Sequence, residues 1–279
     1  MNDWTVEDLT PHIGSEVSGA GLENIDDAGF EALNKLLMDR KVLFFRDVTL
    51  SHRGLDTLAR HFGEPEPAPH AASVPAYPCI AIVESTPKRT QLSNYWHSDG
   101  SYFAKPPAVT VLRAVDIPPV GGDTLWADME AAYRGLDDDM QRRIEGLSAV
   151  HAFSHYVGLF ASRPGYFTEA QIREAAAMES VVQPLVRVHP ETGRRSIFVN
   201  WHVTSHIVGL DANNSRALLD KLFEPAKLPE YQVRLRWKPN TVAIWDNRST
   251  QHYAAHDYGN AYRRMERITV GGEEVIPAN

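Results

Sequence analysis

Apolar positions Phe30, Leu33, Leu36 and Leu37 recur at helical spacing within residues 24–41, NIDDAGFEALNKLLMDRK, and predict a helix there. The next run, VLFFRD at 42–47, begins wholly apolar and reads as a buried strand. Residues 51–63, SHRGLDTLARHFG, carry Ser51 as an N-cap and Gly63 as a stop, which predicts a second helix. Strand-like runs follow at 79–85 (CIAIVES), 108–118 (AVTVLRAVDIP) and 123–128 (DTLWAD). From Asp128 to about Ala177 the texture turns helical, through MEAAYRGL, DDDMQRRIEGL and TEAQIREAAAM. Strand signals return in VVQPLVRVHP and RRSIFVN, split by the turn ETG as in a hairpin. A further helix is predicted in NNSRALLDKLFEPA, and the last quarter is β: YQVRLRWKP, TVAIWD and RRMERITVGG. The chain shows no repeat, low-complexity tract or linker. The expected class is β-rich α+β, one domain over residues 1–279, with a double-layered antiparallel barrel or jelly roll decorated by helices.

Composition narrows the partners. Hydrophobic residues make up 43% and charged residues 23%, enough for a real core. With 28 Lys and Arg against 36 Asp and Glu, the net charge of −8 gives no electrostatic reason to bind nucleic acid or an anionic membrane. A locally basic site can still take a small anion. Cys79 is the single cysteine, so intramolecular disulfides and cysteine zinc clusters are excluded, and a reducing cytoplasm is the expected compartment. The start, MNDWTVEDLTPHIG, lacks the basic and apolar regions of a signal peptide, and no apolar run approaches a membrane span. A small-molecule substrate is expected, with no nucleic acid or membrane partner. A homo-oligomer stays open.

The chemistry concentrates in NYWHSDGSYF, residues 94–103. In a strand, His97 and Asp99 would share one face and offer two ligands to a divalent metal. Two histidines and one carboxylate on one face of an octahedron are the ligand set of non-haem Fe(II) oxygenases. His-x-Asp alone is a weak signal, equally a polar pair at a strand end. In TVAIWDNRSTQHYAAHDY, His252 follows an apolar β run and a turn at DNRS, and His256 is equally eligible by composition. In RRMER, strand alternation puts Arg263, Met265 and Arg267 on one face and Arg264, Glu266 and Ile268 on the other, where Arg264 and Glu266 read as a solvated edge. Two arginines beside a metal suit carboxylate-like anions. Two neutral histidines and one carboxylate around Fe(II) leave a charge near +1. A dicarboxylic 2-oxo acid brings −2, so a cation such as Arg263 is needed at its far end.

These residues resemble the taurine dioxygenase (TauD/TfdA) family of Fe(II)- and 2-oxoglutarate-dependent dioxygenases. The resemblance runs from HIGSEVSGAGL to RITVGG and rests on WHSDGSYFAKPP, PPVGGDTLWADMEAAY, FVNW and VAIWDNRSTQHYAAHDY followed by RRMER. It implies a double-stranded β-helix (jelly roll, cupin-like) with helical insertions. It implies His97, Asp99 and His252 as iron ligands, and Thr124 as a hydrogen-bond partner of 2-oxoglutarate. Arg263, eleven residues past His252, would take the distal carboxylate, and Arg267, fifteen past, would meet an anionic substrate group. Arg264 competes for the 2-oxoglutarate role, but strand face and spacing favour Arg263. The cofactors implied are Fe(II), 2-oxoglutarate as co-substrate and O2. The reaction implied is oxidative decarboxylation to succinate and CO2, coupled to attack on a C–H bond, with hydroxylation, cleavage or desaturation as outcome.

The chain departs from the taurine-binding pattern. Ala68 and Ala71 fall where that pattern has a histidine and a tyrosine, with His70 out of register. Ser93 replaces an asparagine four residues before the first iron histidine, and Val203 replaces an aromatic residue beside Trp201 and His202. The expected substrate is therefore an anion other than taurine: a sulfonate, sulfate ester, carboxylate or phosphonate. Pocket candidates are Ser93, Tyr95, Tyr102, Phe153, Trp201 and His202, for each of which core packing is an equal reading. His151, His155, His189 and His206 read as structural or surface residues. Trp96, Trp126 and Trp245 read as core, and Asp246 and Asn247 as turn residues that aim His252. The competing class is a metal-binding β-barrel without oxygenase activity, a sensor, hydrolase or isomerase.

Overall fold

The computed structural model describes residues 4–67, 72–87, 93–162 and 167–278. Ala68, His70 and Ala71 lie outside the described residues. The four apolar residues of Val42–Phe45 are all buried because the strand is covered on both faces. Val42 and Phe44 point into a core between two sheets, with Leu112, Trp126, Val233, Trp245 and Met265. Leu43 and Phe45 point the other way, onto Leu33, Leu37, Leu55 and Leu58 of the two predicted helices. Those helices run Asp27–Arg40 and His52–Phe62, capped by Asp26 (2.8 Å to the Gly29 N–H) and Ser51 (3.0 Å to the Gly54 N–H).

The larger sheet runs in the order Thr5–Asp8, Ser15–Ser18, Val42–Phe45, Val242–Asp246, Val109–Asp116, Arg263–Val270, Tyr77–Ser85, Ser73–Val74, with Pro65–Glu66 added against Arg263–Val270. The smaller sheet is Gln232–Leu235, Thr124–Asp128, Thr250–Ala254. Trp126 and its neighbours face the larger sheet across the shared core, while Ala127 faces a second cluster formed with the Ala212–Phe223 helix. Two stacked, mainly antiparallel sheets with helices outside make the expected double-stranded β-helix. The Val186–Val188 and Arg195–Ile197 strands pair antiparallel, as the ETG turn predicts.

Three readings are corrected. Strands Thr5–Asp8, Ser15–Ser18, Ser148–His151 and Thr204–Ile207 were not predicted. The last two sit in or beside stretches of helical and loop-like texture, and Ser148–His151 pairs antiparallel with Thr204–Ile207 on one side and Val181–Pro184 on the other. Arg263–Val270 is no edge strand: Tyr77–Ser85 and Val109–Asp116 pair on its two sides. The face carrying Glu266 lies under the His52–Phe62 helix, where Glu266 is 2% exposed and bonds His52 Nε2 (3.1 Å) and Arg113. Among the described residues, no helix is long and apolar enough to cross a membrane.

Candidate metal centre

The strand Val242–Asp246 ends in a turn whose anchor is the Asp246 carboxylate. Its Oδ2 accepts from His189 Nε2 (2.6 Å), and its Oδ1 accepts from the Arg248 N–H (2.8 Å) and Nε (2.9 Å). Burial works to raise this carboxyl, but Arg248 and His189 beside it hold it below the usual carboxylate range. The Thr250 hydroxyl donates to the Asp246 carbonyl (2.7 Å) and starts the next strand, Thr250–Ala254. His252 therefore lies within a strand, opposite Trp126, with its ring 5.0 Å from that of Trp245.

His97 and Asp99 come together by a different route from the one their spacing suggests. His97 forms only an isolated antiparallel bridge with His252, through reciprocal N–H to carbonyl bonds of 3.1 and 2.7 Å. Ser98 is then fixed by bonds from its N–H to Asn200 Oδ1 (2.6 Å) and from its hydroxyl to the Thr250 carbonyl (2.8 Å). The chain turns at Asp99 and Gly100. Gly100 has φ +58°, and a Cβ there would meet Pro107 at 2.7 Å, so glycine is needed. A turn, rather than strand alternation, brings the carboxylate to the two imidazoles.

One ligand atom from each of His97, Asp99 and His252 lies within 4.8 Å of the other two. The His97 Nδ1–H donates to the Tyr95 carbonyl (2.9 Å), which leaves the Nε2 lone pair free. His252 Nε2 faces Asp99 Oδ1 at 3.9 Å. Burial lowers both histidines, His252 to about 3, so both are neutral donors at physiological pH. Burial works against ionisation of Asp99, but Arg267, His252 and His97 together bring it down to about 2. The set is two neutral imidazoles and one ionised carboxylate, which fits a divalent cation with open positions. His256 instead lies against Tyr258 (4.9 Å) and is outside this cluster.

Arg267 borders the cluster, and Arg263 lies four residues earlier on the same strand. Arg263 is buried, its Nε has no hydrogen-bond partner, and burial lowers its pKa. Gly122 passes so close that a Cβ there would lie 3.4 Å from that Nε. A buried guanidinium with unfilled donors fits an incoming carboxylate. Thr124 opens the strand paired with that of His252, and its oxygen accepts from Trp237 Nε1 (2.9 Å), which leaves its hydroxyl proton free to donate. Arg267 Nη1 lies 3.3 Å from Asp99 Oδ1, at the edge of the cluster. Arg264 is on the other face, 3.5 Å from Glu266.

An aromatic wall continues from the His97–Asp99–His252 cluster. His202 lies edge-on to His97 (5.4 Å) and close to Tyr95 (4.7 Å), and burial holds it neutral. Tyr156 and Phe160 extend the wall, 5.8 and 5.9 Å from Tyr95. Tyr102 stands beside Phe153 (5.0 Å), and burial with Asp99 nearby pushes its hydroxyl up to about 12. Trp201 is 37% exposed at the rim. Ser93 contributes its carbonyl, which accepts from the Ala254 N–H (3.0 Å). Tyr156 and Phe160 were missed in the sequence, although Phe153, Tyr156, Val157 and Phe160 show the i, i+3, i+4, i+7 spacing of one helix face.

His151 is structural, as read. It is buried between Ser101 Oγ (3.2 Å) and Thr204 Oγ1 (3.0 Å), and burial lowers it to about 3. The unfolded chain thus binds a proton below about pH 6.5 that the folded chain refuses. Stability is expected to fall as pH drops from about 6.5, with His151 contributing up to about 1.4 kcal/mol per pH unit. His151→Gln should flatten the slope by one proton in urea unfolding measured from pH 7 to 5.

A double-stranded β-helix that brings two histidines and one carboxylate within 4.8 Å of one another defines a jelly-roll protein with a candidate metal site. The chain belongs to the taurine catabolism dioxygenase TauD, TfdA family, whose model matches residues 5–269. It is 35% identical to an alkylsulfatase of Acinetobacter baylyi over 97% of this chain and 86% of that one. It is 34% identical to an α-ketoglutarate-dependent sulfate ester dioxygenase of Pseudomonas putida over 96% and 89%. The crystal structure of a taurine dioxygenase from Burkholderia xenovorans matches with a TM-score of 0.83 at 32% identity, over 98% and 93% of the two chains. The chain is a 2-oxoglutarate (α-ketoglutarate)-dependent dioxygenase, an oxidoreductase.

Proposed function

We propose that the enzyme works with Fe(II) held by His97, Asp99 and His252, and hydroxylates a C–H bond of a small organic anion of the sulfate ester or sulfonate class, not taurine. The observation that carries this reading is the position of Arg267: it reaches Asp99 at 3.3 Å, and its side chain is still about a third exposed. An anionic substrate head bonded there is next to the metal ligands without a bond to the metal itself. When bound, iron and 2-oxoglutarate supply the oxidising chemistry, in which one O2 oxygen enters succinate as CO2 leaves and the other enters the substrate. Arg263 and the Thr124 hydroxyl bind and orient the 2-oxo acid by its carboxylates. Tyr95, Tyr156, Phe160 and His202 exclude water and cover the apolar body of the substrate. If the hydroxylated carbon bears the sulfate oxygen, the product breaks down to an aldehyde and sulfate.

The aromatic wall favours an alkyl or aryl body over the short polar body of taurine, and the relatives named for alkyl sulfate and sulfate ester chemistry point the same way. The test is O2 uptake and succinate formation with 2-oxoglutarate and a panel of alkyl sulfates, alkylsulfonates, aryloxyacetates and taurine. The expected result is turnover with an alkyl sulfate and background rates with taurine. Turnover without O2 would overturn the proposal. Arg267→Gln is expected to raise KM for the anion by about 2 kcal/mol, roughly thirtyfold, because the lost group leaves a charge unpaired.

A further inference from the structure

Behind Asp99 runs a chain of hydrogen bonds with a fixed direction. The Trp245 indole can only donate, and its Nε1–H goes to Asn247 Oδ1 (2.9 Å). The Asn247 amide is thereby oriented, and its Nδ2–H donates to Thr110 Oγ1 (2.7 Å). The Thr110 hydroxyl has one proton, and it goes to Asp99 Oδ2 (3.2 Å). Trp245, Thr110 and Asn247 are all at most 2% exposed, so water offers no alternative partner. The Asn247 backbone is pinned as well, its N–H donating to the Ala108 carbonyl (2.9 Å). The chain starts on the ring packed against His252 and ends on Asp99, so it relates two of the three ligands to each other.

We propose that Asn247 and Thr110 are positioning residues that fix the Asp99 carboxylate by its Oδ2, so that Oδ1 is presented to the metal beside His252. Oδ1 is the oxygen that faces His252 Nε2. This inference rests on the metal site proposed above. The hydroxyl proton of Thr110, with its direction set by Asn247, restrains rotation of the carboxylate and so would hold the three ligand atoms in place before a metal binds.

The experiment is Mn(II) binding to the metal-free protein, read from the electron paramagnetic resonance signal of the free ion. Thr110→Val removes the proton and keeps the shape. Asn247→Asp keeps the indole bond but offers Thr110 an acceptor, which turns the hydroxyl proton away from Asp99. Each is expected to weaken Mn(II) binding about 10- to 100-fold, the usual cost of losing an outer partner. Thr110→Ser is expected to bind as the wild type does. The double variant T110V/N247D should bind no more weakly than T110V, because the two residues act in series. Wild-type affinity in Asn247→Asp, or losses that add in the double variant, would overturn the relay. If Asn247→Asp shows no cooperative thermal unfolding, the Thr110→Val and Thr110→Ser pair decides alone. A wild-type protein that fails to bind Mn(II) would overturn the metal site and the relay with it, whereas binding that survives in every variant overturns only the relay.

Discussion

Replacement of His252 by alanine is expected to abolish metal binding and O2-dependent turnover together, a loss larger than the ~100-fold cost of an outer partner. His252 is buried beside Trp245, and no described histidine outside the cluster offers a nitrogen within reach of Asp99 and His97. Burial keeps it neutral, so its contribution is a lone pair rather than a charge. Alanine would leave a one-histidine, one-carboxylate site. Mn(II) titration and O2 uptake check the result. Retained turnover would move the centre elsewhere, with His256 the nearest candidate in sequence.

Arg263→Met is expected to raise KM for 2-oxoglutarate by about 2–3 kcal/mol, roughly 30- to 150-fold, with the enzyme still folded. The sign of the second effect distinguishes this from general damage. A buried guanidinium whose Nε lacks a partner is a cost to the ligand-free protein, so methionine should leave the apo form at least as stable as the wild type. The stabilisation that 2-oxoglutarate gives the wild type should be lost. Thermal unfolding with and without 2-oxoglutarate, alongside steady-state kinetics, checks both arms. Destabilised apo protein with an unchanged KM would assign Arg263 to packing.

Much of this was legible in the chain because it depends on local chemistry. The helix over Asp27–Arg40 is written in its apolar spacing, the helix over His52–Phe62 in its Ser51 cap, and the face of Arg263, Met265 and Arg267 in strand alternation. What was not legible depends on partners distant in sequence. Asp99 reaches His97 through a turn held by Asn200 and Thr250, neither of which its own neighbourhood announces. Glu266 looks like a surface charge until the His52–Phe62 helix covers it. The link from Asn247 to Asp99 passes through Thr110, a residue 137 positions away, and no periodicity carries that information.

The strand Arg263–Val270 has a further consequence. Arg263 and Arg267 are four residues apart, roughly 13 Å at the usual strand rise, and pairing on both sides prevents the strand from stretching. On the roles proposed above, the two arginines would work as the ends of a ruler. A substrate seated by its head on Arg267 presents the carbon at a set distance from that head, whatever the length of its tail. Under that reading oxidation is counted from the anionic end, and homologous substrates should lose hydrogen at the same numbered carbon whatever the length of their tails.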